Sequence, residues 1–310
     1  MARPFAAIPL AGGRAVTLWC EDAVPNLARR LGHRKADCVV TSPPYNRGVP
    51  YRSYADSKPR AQYLAWIGEV AAAVDATLAR DGSFFLNVGG RPKDPWLPWD
   101  VAREVGRRFV LQNVIHWVKS IAIDRGAAGR AAGLDRDLAL GHYQPLVSER
   151  YLHGAQEYVF HFSRRGDVRL DRLAIGVPYQ DKTNVARWRG PAGDRRCRGN
   201  TWFLPYATIR TRARDRPHPA TFPPELPATC LKLHGLARVR LAVDPFVGIG
   251  SSAVAAARLG VGFVGFDLDP EYLGTAAERV RAAVRGGGAT RSAARRSRSS
   301  APTTRASACG

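Results

Sequence analysis

Short apolar runs separated by amphipathic stretches recur along most of this 310-residue chain, and their spacing predicts alternating strands and helices. Residues 37–41 form an apolar run of strand length. Residues 61–80 place Leu64, Ile67, Ala71, Val74 and Leu78 at steps of three and four, one face of an amphipathic helix packing on a sheet. Strands are predicted near 83–88, 113–118 and 156–162, with a helix over 104–109 between the first two. Farther on, strands over 239–243 and 261–266 flank a helical pattern over 253–259 that Gly260 can terminate. Asp269 then caps another helix, with Pro270 at its first position. The alternation predicts an α/β fold, a mostly parallel sheet with helices on both faces.

Two stretches do not follow that alternation. Residues 121–144 are rich in Gly, Ala and Arg and read as a mobile loop. Residues 166–217 are irregular, rich in Arg, Gly and Pro, and interleaved with Tyr179, Trp188, Trp202, Phe203 and Tyr206. The net charge of +21 favours a polyanionic partner, because neutralising phosphates releases their counterions. A high-GC genome, which enriches Arg and Ala on any surface, is the competing explanation. Residues 285–310 hold six arginines and no acid, so fifteen of the 21 net charges lie elsewhere. This basic tail is expected to be disordered. No apolar run reaches membrane-span length, and neither a secretory leader nor a membrane partner is expected. Five cysteines, an odd number without C-x-x-C spacing, argue against a disulfide framework and point to a reducing compartment. His33, His142, His153 and His234 show no ligand spacing, so no metal is predicted.

Candidate chemistry sits in two loops. The 37–41 strand runs into Thr41-Ser42-Pro43-Pro44-Tyr45-Asn46, where each proline restricts itself and the residue before it. A stiff loop at a strand's C-terminal end lies where open α/β sheets bind ligands. The Ser42 hydroxyl and Pro43 carbonyl could hold the two hydrogens of an amino group, while Tyr45 offers a face for stacking a ring. Taken alone, Ser-Pro-Pro-Tyr is more simply a proline turn with a packed tyrosine. The second loop weighs against that. Asp244-Pro245-Phe246-Val247-Gly248-Ile249-Gly250-Ser251-Ser252 joins a strand to a helix, and its glycines let backbone approach a ligand closely. Asp267 ends the next strand, about 20 residues on, where an acid can accept from ribose hydroxyls.

Together these loops resemble the S-adenosylmethionine-dependent DNA amino-methyltransferases that modify cytosine N4 or adenine N6, in the order of their β group. The resemblance runs from about residue 15 to 284. It implies a permuted Rossmann-like fold whose seven-stranded sheet has one antiparallel strand. Ser42, Pro43, Pro44 and Tyr45 would form the catalytic loop. Asp244, Pro245, Phe246, Gly248, Gly250, Ser251, Ser252 and Asp267 would bind the cofactor, S-adenosylmethionine. They would be joined by Thr41, by Asp22 beside the adenine, and by Pro219, Thr221 and Phe222 over the methionine moiety. The implied domain has a catalytic half (15–165), a target-recognition insertion (166–217) and a cofactor half (218–284).

Within the insertion, Arg187, Arg189, Arg195, Arg196, Arg198, Arg210 and Arg212 could contact phosphates or read guanine edges. The expected partner is double-stranded DNA, with the target base flipped out of the helix. A homodimer and a cognate restriction enzyme are compatible with the resemblance. The expected location is cytoplasmic and nucleoid-associated, or nuclear in a eukaryote. A leading serine in the Ser-Pro-Pro-Tyr loop is commoner in the N4-cytosine enzymes, so N4-cytosine is favoured, with N6-adenine the alternative. RNA or protein methylation, a DNA-binding protein without catalysis and a basic nucleic-acid-binding scaffold are the rival readings. Asn46 and Lys119 could line the base pocket, and His218 lies near the cofactor segment. His116 and His161 read as core or sheet-face residues, and Glu157 as a cap or pairing residue.

Overall fold

The computed structural model describes residues 3–130, 133–141, 147–188, 193–205 and 221–299. Nine strands make one sheet: β1 Ala6–Pro9, β2 Ala15–Cys20, β3 Ala36–Thr41, β4 Leu78–Val88, β5 Val110–Val118, β8 Gln156–Ser163, β9 Thr201–Phe203, β10 Leu241–Asp244 and β11 Gly262–Asp267. Their order across the sheet is β1-β2-β11-β10-β3-β4-β8-β5-β9. Neighbours from β2 through β4 run parallel. β8 runs antiparallel to both β4 and β5.

The expected α/β class is observed, and the sheet exceeds the expected seven strands. Seven strands from β2 to β5 carry the single antiparallel member, β8; two short edge strands bring the total to nine. β1 turns back on β2 as a hairpin through Gly12 and Gly13, both at positive φ. It lies before residue 15, the expected start of the methyltransferase domain. β9 pairs in parallel with β5 inside the stretch expected to be irregular. Three residues are too few to show a period, but Trp202 is buried there beside Trp117.

Helices cover both faces, and strand alternation decides which side chain meets which layer. On one face, α1 (Ala23–Leu31), α2 (Arg60–Thr77) and α3 (Leu97–Val105) pack against Val39, Phe84, Leu86, Val243 and Phe266. On the other, α5 (Glu225–His234), α6 (Ser251–Leu259) and α7 (Pro270–Ser299) pack with Cys38, Val40, Phe85, Ala242 and Phe263. A short helix, α4, spans Thr183–Trp188.

The helix expected over 104–109 is α3, which begins earlier and ends at Val105. Pro98 disguises its start, yet a proline in the first turn removes no helical hydrogen bond. The 121–144 loop contains an antiparallel ribbon, β6 (Ser120–Ile123) with β7 (Leu138–Gly141). α7 continues to Ser299, past the 284/285 boundary expected for the tail, and residues 300–310 lie outside the described residues. Among the described residues, no helix is long and apolar enough to cross a membrane.

Candidate active site

Because β2, β11, β10, β3 and β4 are parallel, the segments leaving their C-terminal ends share one edge of the sheet. β3 and β10 are direct neighbours, so the two sequence-predicted loops lie side by side. A buried bond joins them: Thr41 Oγ1 donates to Asp244 Oδ1 at 2.5 Å, across 203 positions of sequence. Asp244 also accepts from Phe246 N at 2.9 Å and from Ser252 Oγ. Its carboxylate therefore ties the start of the glycine loop to the first turn of α6. Burial raises its pKa to about 6.

The glycine turn itself needs special backbone. Gly248 has φ 49° and Gly250 φ 82°, a region in which L side chains are strained. A Cβ on Gly250 would lie 2.7 Å from the Ala276 Cβ of α7, so loop and helix can meet only without one. Gly248 N donates to Asp267 Oδ2 and Asp269 N to Asp267 Oδ1, both at 2.9 Å. Burial raises the Asp267 carboxyl above the usual range, with the neighbouring Asp269 charge adding to it. Asp269 caps α7 as expected, accepting from Glu271 N at 2.8 Å.

Four of the remaining expected cofactor residues lie on this turn or at the start of α6. Pro245 is buried, and Phe246 is half-buried against Trp66, with ring centroids 5.4 Å apart. Ser251 and Ser252 are buried at the start of α6. Asp22 is exposed just beyond β2 and caps α1 by accepting from Val24 N at 2.9 Å. β2 is in register with β11, Cys20 opposite Asp267, which puts Asp22 on the same edge. Thr221 is half-buried, Phe222 packs in the core beside α5, and Pro219 lies outside the described residues.

In the Ser-Pro-Pro-Tyr loop, the Pro44 carbonyl accepts from Tyr63 Oη of α2 at 2.9 Å, and Pro43 is buried. Tyr45 is not an open stacking face. It is buried, the Arg47 guanidinium lies 4.7 Å from its ring centroid, and its hydroxyl points into a polar cluster. There Tyr45 Oη lies 2.7 Å from Ser42 Oγ and donates to Glu157 Oε2 at 3.0 Å. Asn87 Nδ2 donates to Tyr45 Oη and, at 2.8 Å, to Glu157 Oε2. Lys119 Nζ donates to Glu157 Oε1 at 3.0 Å. Burial would push the Glu157 carboxyl up, but the Lys119 and Arg47 charges and the Asn87 bond outweigh it and leave it below the ordinary value.

Sequence reasoning thus misses two of the five members of this cluster. It gives Asn87 no part, and it makes Glu157 a cap or pairing residue, whereas Glu157 is the buried centre of the cluster. A lone Glu early in a strand and an Asn at the end of an apolar run carry no local signal. Asp56 is missed as well: it is buried and accepts from the backbone N–H groups of Asn46, Arg47 and Val49, at 2.7, 2.9 and 3.0 Å, shaping the loop that follows Tyr45. Asn46 reinforces this loop by exchanging two hydrogen bonds with Lys58.

Residues 36–278 match the DNA methylase family of N6 and N4 methyltransferases. The chain belongs to that family. It is an S-adenosylmethionine-dependent DNA amino-methyltransferase, as the two loops implied. The Type II methyltransferase M.ScaI of Streptomyces caespitosus is 25% identical over 267 residues, covering 83% of this chain and 78% of its own. A solved PvuII DNA methyltransferase, described as cytosine-N4-specific, superposes with TM-score 0.57 at 19% identity, covering 89% of this chain and 88% of that one. The Thermus thermophilus protein TTHA0409, solved with S-adenosyl-L-methionine, gives TM-score 0.53 at 22% identity, covering 87% of this chain and 94% of that one. These two likenesses are of fold.

The expected DNA-contacting arginines are scattered. Arg187 is exposed on the last turn of α4, and Arg195 and Arg196 are exposed on the segment after it. Arg195 donates to the Gly176 carbonyl at 2.8 Å and Arg198 to the Ile175 carbonyl at 3.1 Å, so both also brace their own segment. Arg189, Arg210 and Arg212 lie outside the described residues.

Proposed function

We propose that this DNA methyltransferase transfers a methyl group to the exocyclic N4 of cytosine in duplex DNA. The observation that carries the reading is the pairing of the two loops through Thr41 and Asp244, which sets Ser42 and Pro43 beside the glycine turn. S-adenosylmethionine, when bound, supplies an electrophilic methyl group on a sulfonium. The residues present suit it: a glycine turn at positive φ, the Asp267 carboxylate with lone pairs left for ribose hydroxyls, and Asp22 on the same edge.

The chain's own task is then orientation. A base inside a duplex cannot reach this edge, so it is flipped out of the stack. An exocyclic amine is a poor nucleophile because its lone pair is delocalised into the ring. Accepting its hydrogens on Ser42 Oγ and the Pro43 carbonyl favours a pyramidal nitrogen with its lone pair toward the methyl. Direct in-line transfer needs no covalent enzyme intermediate, the surplus amine proton leaves to solvent after transfer, and alignment supplies most of the rate. The neutral Ser42 supports cytosine, with N6-adenine the alternative. Arg187, Arg195, Arg196 and Arg198, with the excess of positive charge, would hold the phosphate backbone. The 166–217 insertion would recognise the target, and the setting would be the cytoplasm beside the nucleoid, where a restriction enzyme of the same specificity is the natural counterpart.

The deciding experiment is incubation with S-adenosylmethionine and mixed-sequence duplex DNA, followed by nucleoside mass spectrometry. N4-methylcytosine is expected. N6-methyladenine would reverse the choice of base and keep the mechanism, and neither product with cofactor still bound would overturn the DNA-amine reading.

A further inference from the structure

We propose that Glu157 is a positioning residue for methyl transfer: its carboxylate takes the Tyr45 hydroxyl hydrogen and thereby fixes the Ser42 hydroxyl as an acceptor for the substrate amine. The proposal rests on the amine-methylation reading above. Counting hydrogens sets the direction of each bond. A carboxylate only accepts, and a phenol has one hydrogen to give. Tyr45 spends that hydrogen on Glu157 Oε2 at 3.0 Å. The 2.7 Å contact between Ser42 Oγ and Tyr45 Oη must then run from Ser42 to Tyr45. With its hydrogen so engaged, and Asn87 Nδ2 a long donor to it at 3.4 Å, Ser42 keeps a lone pair for an amine N–H.

Asn87 reinforces the direction. Its amide is set by the same carboxylate, since turning Oδ1 toward Glu157 would put acceptor against acceptor, and as placed Nδ2 also donates to Tyr45 Oη. Without the Glu157 charge, Tyr45 could donate to Ser42 instead, turning the Ser42 hydrogen outward against the amine hydrogens.

The packing keeps this carboxylate in place. Glu157 is 8% exposed, and Lys119 Nζ sits 3.0 Å from its other oxygen. Gly89 has no Cβ where one would lie 2.8 Å from Glu157 Cγ and 2.7 Å from Arg47 Nη2, so the backbone leaves room for that pair of charged side chains.

The test is a double-mutant cycle on the full chain with S-adenosylmethionine and duplex DNA, comparing E157Q, Y45F and the double variant. Each single variant is expected to lower kcat by about 10- to 100-fold with KM for S-adenosylmethionine unchanged. The double variant should be no slower than the slower single one, because Glu157 acts through the Tyr45 hydroxyl. Losses that multiply in the double variant, or wild-type kcat in E157Q, overturn the proposal. Should E157Q fail to fold, Y45F decides alone, since it removes one hydroxyl and must still show the loss. An active wild type with unaffected variants overturns only this proposal. A wild type that transfers no methyl group to DNA overturns the amine-methylation reading together with it.

Discussion

The two loops that meet at Thr41 and Asp244 are built on opposite plans. The glycine loop is shaped by backbone and by nearby partners: Phe246 and Ser252 on Asp244, Gly248 on Asp267, all within 19 positions. The Ser-Pro-Pro-Tyr loop is stiffened locally by its prolines, but its polar side chains are directed by residues far away in sequence. Asn87 lies 42 positions from Tyr45, and Glu157 lies 112. One side of the site is a shape, the other a set of hydrogen-bond directions. Damage to the first should therefore appear as lost folding and binding, damage to the second as lost rate.

The severest break of the shaped side is Gly250→Val. The left-handed φ of 82° and the 2.7 Å approach of a Cβ to Ala276 combine backbone strain with overpacking. A stability loss of about 3 kcal/mol or more is expected, with loss of S-adenosylmethionine binding. Urea unfolding and isothermal titration would check both, and a variant with wild-type stability would show that α7 can withdraw from the loop.

Ser42→Ala and Asp267→Ala set the two plans against each other. Ser42→Ala should lower kcat about 100-fold while leaving cofactor affinity and melting temperature near wild type. Asp267→Ala removes the acceptor of Gly248 N and the acid proposed for the ribose, so cofactor affinity should fall about tenfold with the smaller change in kcat. Steady-state kinetics with cofactor titration separates the two. A crossed result, with Ser42→Ala losing binding and Asp267→Ala losing rate, would exchange the roles assigned to the loops.

The same contrast explains what could be read before folding. The glycine loop was legible almost residue by residue because, the Thr41 bond apart, the features that shape it are short-range: Asp244 at the strand end, positive-φ glycines, Asp269 capping α7. Ser42 to Tyr45 was legible as a stiff loop, and the parallel sheet that sets it beside the glycine turn followed from alternation. Asn87 and Glu157 were not, since their importance arises only when β4 and β8 pair, Asn87 opposite Val159 and next to Glu157. β1, β9 and the β6–β7 ribbon were missed for a different reason. Each is four residues or fewer, too short for a period, and is held by neighbours rather than by its own pattern.

Two kinds of buried titratable group should also answer acid in opposite senses. Beneath the catalytic strands, Ser83 Oγ lies 2.9 Å from His161 Nε2 and 2.8 Å from His234 Nδ1. Burial depresses these histidines to about 3 and about 4. Above pH ~6.5 they are neutral in both folded and unfolded chains and contribute nothing; as pH falls below that, only the unfolded chain takes up protons. Each then lowers stability by about 1.4 kcal/mol per pH unit until its folded value is reached. Asp244, raised to about 6, works the other way: the stability its protonated form contributes is full below pH ~4 and lost as pH rises through 6. Two histidines outweigh one aspartate, so wild-type stability should fall between pH 6.5 and 5. His234→Gln should reduce that fall by about 2 kcal/mol in urea unfolding, and an unchanged slope would mean that His234 is already charged in the fold.

The smallest expected effect concerns the ionic tie between the loop after Tyr45 and the cofactor half. Arg52 pairs with Glu271 and lies 3.6 Å from Asp269 Oδ2, both at the start of α7. The Arg52 and Glu271 side chains are 55% and 63% exposed, and exposed pairs contribute little once solvent screening and side-chain entropy are counted. Asp56 and Asn46 already hold the 46–58 loop from within. Arg52→Ala should therefore cost less than about 1 kcal/mol and lower the melting temperature by under about 4 °C, with cofactor affinity unchanged. Asp269 gives the experiment its edge: its Oδ2 is buried without a hydrogen bond, and Arg52 is its ion-pair partner among the described residues. A loss well above 1 kcal/mol would mean that Arg52 compensates a buried charge at the cap of α7, so that the catalytic side's loop helps to build the cofactor side.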